Sequence, residues 1–101
     1  MISVLMSVYN ESKEILSESI YSIETQSFQD WELIIVNDNP ENKNLSIFLK
    51  VKAQNNPKIK LITNKKNMGL VDSLNVAFSI AQGDYIARMD ADDIALSNRF
   101  E

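Results

Sequence analysis

Apolar positions recur along this chain at two periods, one of the strand and one of the helix, and the two alternate. Residues 2–8 are short, apolar and rich in β-branched side chains, which predicts a buried strand. From residue 12 to about 26 the period turns helical, with Leu16, Ile20 and Ile23 at i, i+4 and i+7 and Glu14, Glu18 and Glu24 elsewhere around the helix. Residues 28–31 form a connector with two aromatic anchors, and residues 32–36 are a second apolar strand. Asn39-Pro40 reads as the opening of the next helix, Asn as cap and Pro at the first helical position, with Leu45, Phe48 and Leu49 as its apolar face. Residues 58–63 alternate polar with apolar, the mark of a half-exposed edge strand. A loop over residues 64–69 leads to a helix carrying Leu70, Leu74, Ala77, Phe78 and Ala81 on one stripe, with Gly83 expected to stop it at the C′ position. Residues 84–89 are the fourth strand and run into Asp90-Ala91-Asp92-Asp93.

The predicted class is therefore α/β: a Rossmann-like βαβαβαβ chain, with a mostly parallel sheet and helices on both faces. Parallel neighbours need long crossovers, and right-handed crossovers supply them. At 101 residues, 45% hydrophobic, the chain is sized for one domain. It has no Cys and no His. Thiolate nucleophiles, Ser-His-Asp chemistry and HExxH metal sites are thus excluded, and any metal must be held by oxygen, as Mg²⁺, Mn²⁺ or Ca²⁺ are. A net charge of −4 argues against a general grip on nucleic acid. Six of the lysines fall between Lys50 and Lys66. No basic region precedes residues 2–8, which are too short to span a bilayer, so a cytoplasmic domain is expected.

In an open parallel sheet, ligands bind beyond the carboxyl ends of the strands, at the switch in strand order. Polar and acidic residues collect at each of those ends: Ser7, Tyr9 and Asn10; Asn37, Asp38 and Asn39; residues 64–69; Asp90, Asp92 and Asp93. With strand order 3-2-1-4, Tyr9 and the acidic cluster would face each other across one crevice. Asp90 and Asp92, two apart at a strand's end, can offer oxygens to one hard cation; alternatively, Asp92 or Asp93 simply caps a helix starting near Ile94. Asp38 is a turn residue or an acceptor for a base or ribose edge. Tyr9 is a stacking surface or a packed loop aromatic, and Ser7 makes a polar contact or merely ends its strand. No glycine follows the first strand, which weighs against a Rossmann fingerprint and a P-loop. A bound diphosphate would then rely on a metal at the acidic cluster. Lys58 and Lys60 protect an edge, whereas Lys65 and Lys66 lie on the crevice side and can meet a phosphate.

Four segments in order carry a resemblance: Val4 to Glu11, Gln26 to Asp38, Asn67-Met68-Gly69-Leu70, and Gly83 to Asp93. Together they resemble the family 2 glycosyltransferases of the GT-A fold. The resemblance implies a metal-dependent, inverting transfer of sugar from a UDP- or GDP-linked donor to a glycan or lipid-linked acceptor, in polysaccharide or glycoconjugate synthesis. It implies that Asp90-Ala91-Asp92 is a DxD motif, with Asp92 ligating Mn²⁺ or Mg²⁺ and Asp90 contacting ribose or metal-bound water. It further implies that Asp38 holds the base, that Ser7 and Tyr9 line the nucleotide, and that Asn67 and Gly69 belong to a loop closing near base and ribose. Asn37 stands where the family has the first acid of a pair, and Asn39-Pro40 where it has Gly-Ser, so uracil and guanine both remain open. The resemblance also implies that residues 1–101 form a single donor domain, the N-terminal half of the fold. The acceptor half and the general base are expected beyond Glu101, the isolated chain is expected to be inactive, and the inner face of the cell membrane becomes a second expected location. Two alternatives accompany this reading. One is a phospho-acceptor domain, which would want paired acids where Tyr9-Asn10 stand. The other is a non-catalytic nucleotide-binding or assembly fragment, in which the crevice edge packs on a twin as a homodimer.

Overall fold

The computed structural model describes residues 1–95 and Phe100. Its elements are β1 (Ile2–Val8), α1 (Lys13–Glu24), β2 (Trp31–Asn37), α2 (Lys43–Asn55), β3 (Ile59–Thr63), α3 (Leu70–Ile80) and β4 (Tyr85–Arg88). The four strands form one parallel sheet in the order β3-β2-β1-β4. The anticipated α/β class and parallel pairing are present, and the order is the 3-2-1-4 on which the crevice reading was conditional; it reverses beside β1, the switch point of an open sheet.

Strand alternation sorts the core into two layers. Val4, Met6 and Val8 of β1 and Leu33 and Ile35 of β2 face α1 and α2, packing on Leu16, Ile20, Ile23, Leu45 and Leu49. Leu5, Ile34 and Val36 face the other way, onto Ala77, Leu74 and Ala81. Helices thus cover both faces, which is why β2 is buried along its whole length. No helix among the described residues is long and apolar enough to cross a membrane.

Three local expectations are corrected. First, α2 does not open at Asn39-Pro40. Its cap is Asn42, whose side chain accepts from the Leu45 amide at 3.1 Å. Asn39 is spent elsewhere: its Nδ2 donates to the Tyr9 carbonyl at 2.9 Å, and its carbonyl accepts from the Asn42 amide at 3.1 Å, closing a turn ahead of the helix. Second, Gly83 is not a left-handed helix stop. A Cβ there would lie 2.6 Å from the Met1 carbonyl oxygen and from Ser3 Oγ, so glycine is required by the close approach of β1. Third, Lys60 does more than guard an edge. Its Nζ lies 2.5 Å from Glu32 Oε1, and that buried carboxylate also accepts from Ser3 Oγ and the Gln82 amide, stitching all four strands' neighbourhoods at the amino end of the sheet. Lys58 Nζ stands over the Trp31 ring at 4.7 Å.

Candidate functional site

β2 alternates its last side chains between the two layers, and this decides what each can reach. Asn37 turns toward α2 and donates to Ser46 Oγ at 3.0 Å. Asp38 turns the other way, toward the start of α3, and is buried, only 2% exposed. Its Oδ1 accepts from Asn64 Nδ2 at 2.9 Å and from the Met68 amide at 2.7 Å. Its Oδ2 accepts from Asn67 Nδ2 at 3.0 Å and from the Gly69 amide at 2.9 Å. Asn64 Nδ2 is shared with Ser73 Oγ at 3.0 Å, which links the cluster to the first turn of α3. Gly69, the N-cap of α3, has φ 91 and ψ 166, a region open essentially to glycine alone. It brings no capping side chain, and the Asp38 carboxylate supplies negative charge at that helix end instead. Burial pushes the Asp38 carboxyl up, but the Met68, Asn64 and Gly69 N–H groups and the Ser73 hydroxyl outweigh it and hold the group below its ordinary value.

The acidic residues come together through a turn rather than through strand alternation. β4 ends at Arg88, and the Asp93 amide donates to the Asp90 carbonyl at 3.0 Å. One oxygen from each of Asp90, Asp92 and Asp93 lies within 4.8 Å of the others, all three exposed. Asp93 Oδ2 accepts from the Asp90 amide at 3.0 Å, and Asp90 Oδ1 lies 3.3 Å from Arg88 Nη2. Asp93 therefore closes the turn on itself; the body of the helix it was expected to cap, past Ala95, lies outside the described residues. Asp92 has no hydrogen bond among the described residues, which leaves its oxygens open to a hard cation. The Met89 amide donates to the Leu5 carbonyl at 3.1 Å, so the contact of the chain with β1 reaches one residue past the end of β4.

Tyr9 is 47% exposed and its backbone is fixed at both ends, the amide on Glu11 Oε1 and the carbonyl on Asn39. With Asn39, Pro40, Glu41, Lys65, Lys66 and Asn67 it lines a cavity of about 160 Å³. Neither Lys65 nor Lys66 forms an ion pair among the described residues. The structure thus joins Tyr9 to the 64–69 loop, while the acidic turn stands at β4, across β1, and does not line this cavity. A larger hollow of about 470 Å³ beside α2, lined by Pro40, Lys43, Ser46, Ile47, Lys50 and Thr63, shares Pro40 with the Tyr9 cavity and holds none of the residues expected to bind nucleotide or metal.

Sequence reading missed a polar row along α1 and just past its end, where Gln26 follows the Thr25 cap. Ser19 donates to the Ala91 carbonyl at 2.7 Å, Ser22 Oγ accepts from the Ala95 amide at 2.9 Å, and Gln26 Oε1 accepts from the Phe100 amide at 3.3 Å. These three buried residues, at i, i+3 and i+7, grip the segment that carries the acidic turn. Their spacing was the available signal: a buried-phase stripe of polar side chains needs partners.

A family model described as Glycosyl transferase family 2 matches residues 3–101. An uncharacterized glycosyltransferase of Methanocaldococcus jannaschii is 46% identical over 101 residues, covering 100% of this chain and 35% of its own length. The UDP-Glc:alpha-D-GlcNAc-diphosphoundecaprenol beta-1,3-glucosyltransferase WfgD of Escherichia coli is 33% identical over 101 residues, again all of this chain and 38% of its own. Among solved structures, S. aureus TarS in complex with UDP superposes with a TM-score of 0.81 at 27% identity, over 96% of this chain and 29% of that one. The chain spans little more than a third of the length of these two curated relatives.

Proposed function

The chain belongs to glycosyl transferase family 2, and on that premise we propose that it forms the donor side of a sugar-transferring enzyme, binding a UDP- or GDP-linked sugar together with a divalent cation. The observation that carries this reading is the acidic turn at the carboxyl edge of the parallel sheet, with three carboxylates within 4.8 Å and Asp92 without a hydrogen bond among the described residues. The donor set fits a hard cation. It is all oxygen, it is exposed so that water and phosphate can complete the shell, and its like charges repel when nothing sits among them. Asp92 and Asp90 would hold Mn²⁺ or Mg²⁺, whose chemistry when bound is to neutralise charge developing on the departing diphosphate.

The remaining work falls to this chain's own residues. Tyr9 offers a ring face and Ser7 a hydroxyl near the carboxyl end of β1, while Lys65 and Lys66 carry positive charge on the cavity wall. Asp38, Asn67 and Gly69 form the loop clamp beneath that wall. The proposed reaction is an inverting displacement. An acceptor hydroxyl on a glycan or lipid-linked sugar attacks the anomeric carbon, the anomeric C–O bond to the diphosphate breaks, and the hydroxyl proton passes to a base. We assign that base to no residue of this chain. The UDP bound to TarS and the UDP-Glc and lipid-diphosphate acceptor in the name of WfgD support a nucleotide-sugar donor and a lipid-linked acceptor. Polysaccharide or glycoconjugate synthesis on the cytoplasmic side of the membrane is the setting such an acceptor suits.

The test is calorimetric titration of the chain with UDP and with GDP, each with and without Mn²⁺. Binding of at least one nucleotide that requires the metal is the expected result; no binding of either in Mn²⁺ overturns the reading. A second reading, assembly with another copy of this chain, is favoured by β4, where Tyr85 is 72% and Ile86 44% exposed at the sheet edge. Light scattering on the same sample separates the two.

A further inference from the structure

Charge is unevenly shared along this chain. Seven of its ten basic residues fall in residues 42–71, a stretch that contains no Asp or Glu, so all fourteen acids lie elsewhere. The stretch folds into α2, β3 and the 64–69 loop, on the β3 side of the sheet, while the acidic turn follows β4 at the opposite edge. Three of its lysines are engaged: Lys58 on Gln29 and the Trp31 ring, Lys60 on Glu32, and Lys52 over the Phe48 ring at 5.6 Å. Lys65 and Lys66 belong to the wall of the Tyr9 cavity. Lys43 and Lys50 have no such duty. Both are exposed, stand on a helix rather than a strand edge, and form neither an ion pair nor a hydrogen bond among the described residues. α2 buries Leu45 and Leu49 against the sheet and turns the opposite stripe outward: Lys43, Ile47, Lys50 and Val51, at i, i+4, i+7 and i+8. Ile47 is 61% and Val51 47% exposed, two aliphatic side chains in water between free cations.

We propose that the outer stripe of α2 docks this chain on an anionic lipid surface, Lys43 and Lys50 meeting phosphate headgroups while Ile47 and Val51 enter the boundary beneath them. Such a stripe matches a partner that is negative outside and apolar below. A nucleic acid strand would use the lysines but leave both aliphatics in water, and the stripe carries no aromatic ring on which a base could stack. The segregated charge also orients the docking, because the acid-rich remainder of the chain is repelled by the surface that attracts residues 42–71. The inference goes beyond the sugar-transfer reading and does not need it. Pro40 lines both the hollow beside α2 and the Tyr9 cavity, so a docked α2 sets that cavity next to the lipid surface.

The test is sedimentation of the chain with vesicles of phosphatidylglycerol and phosphatidylcholine, and with vesicles of phosphatidylcholine alone. Binding to the anionic vesicles only, weakened by salt, is the expected result. Lys43→Gln combined with Lys50→Gln should weaken it about ten-fold or more, two lysines' worth of attraction to an anionic surface. Lys13→Gln, outside the basic stretch, should leave it unchanged. Ile47→Asn should weaken it about three-fold or more, as withdrawal of an inserted aliphatic side chain does. All four positions are exposed, so the variants keep the fold. Absence of binding to anionic vesicles, or parent-like binding by the lysine double variant, overturns the proposal. Parent-like binding by Ile47→Asn overturns it too, and equal affinity for single-stranded RNA would then assign the lysines to nucleic acid. Titration with UDP and GDP in Mn²⁺ should be the same for the parent and the double variant. A parent that docks on vesicles yet binds neither nucleotide would sink the donor reading and leave this one standing.

Discussion

The Ser19 hydroxyl, fully buried on α1, donates to the Ala91 carbonyl at 2.7 Å across 72 residues of sequence. Ala91 lies between the two acids proposed as metal ligands, so a helix packed on the sheet's far layer fixes the backbone of the acidic turn. Ser19→Ala leaves a buried carbonyl without its donor, a cost of about 1–3 kcal/mol. The expected outcome is lower stability in urea and a several-fold weaker Mn²⁺ requirement curve for UDP or GDP binding. Parent-like metal dependence in a destabilised variant would show that Ser19 supports the fold alone.

Asp92 and Asp93 should differ although they are neighbours of identical chemistry. Asp93 already accepts from the Asp90 amide, whereas Asp92 has no hydrogen bond among the described residues. Asp92→Asn should weaken metal-dependent nucleotide binding about ten-fold or more, as losing a ligand does, with little change in stability. Asp93→Asn should act mainly on the turn, lowering stability by about 1 kcal/mol. Calorimetry and denaturation of both variants check the split. Equal effects of the two on nucleotide binding count against Asp92 as a ligand.

How much of this was legible in the sequence depends on the range of the interaction. Element order and parallel pairing follow from periodicity and crossover rules, because those reflect which faces are buried; the 3-2-1-4 order entered only as a condition and comes from the structure. The start of α2 was not legible, because Asn39 and Asn42 are both good caps. What decides between them is a bond from Asn39 to Tyr9, 30 residues away. Gly83 looked like a helix stop because its sequence neighbours end a helix, but its reason is a strand 80 residues upstream. The candidate site residues were chosen by their position at strand ends. Their wiring was not, since four donors converging on Asp38 from the 64–69 loop leave no periodic trace.

Gly83→Ala makes the packing argument measurable. The added methyl would sit 2.6 Å from the Met1 carbonyl oxygen and 2.8 Å from the Ser3 amide nitrogen, backbone atoms that cannot rotate away. Overpacking of this kind costs about 1–3 kcal/mol. Denaturant midpoints should shift accordingly, and because Gly83 donates to Ser3 Oγ, the Gly83 and Gln82 amides should lose exchange protection together. An unchanged midpoint would contradict the close approach of β1 to this loop.

The pH dependence of stability follows from two buried carboxylates. Burial raises Glu32, but the Lys60, Ser3 and Gln82 donors outweigh it and hold it below its ordinary value, as the loop donors hold Asp38. A group that titrates lower when folded binds fewer protons in the native state than in the unfolded one. Its stabilisation is therefore fully present above the unfolded value and disappears as pH falls through the folded one. Stability should be level from neutrality to about pH 5 and decline progressively below it, where the unfolded chain takes up protons that the folded chain refuses. Glu32→Gln and Asp38→Asn should each lower stability at neutral pH and flatten the acid limb, because each removes one of the two groups that create it. Urea denaturation at several pH values reads both effects. A variant that loses stability at neutrality yet keeps the parent's full acid slope would locate the pH dependence elsewhere in the chain.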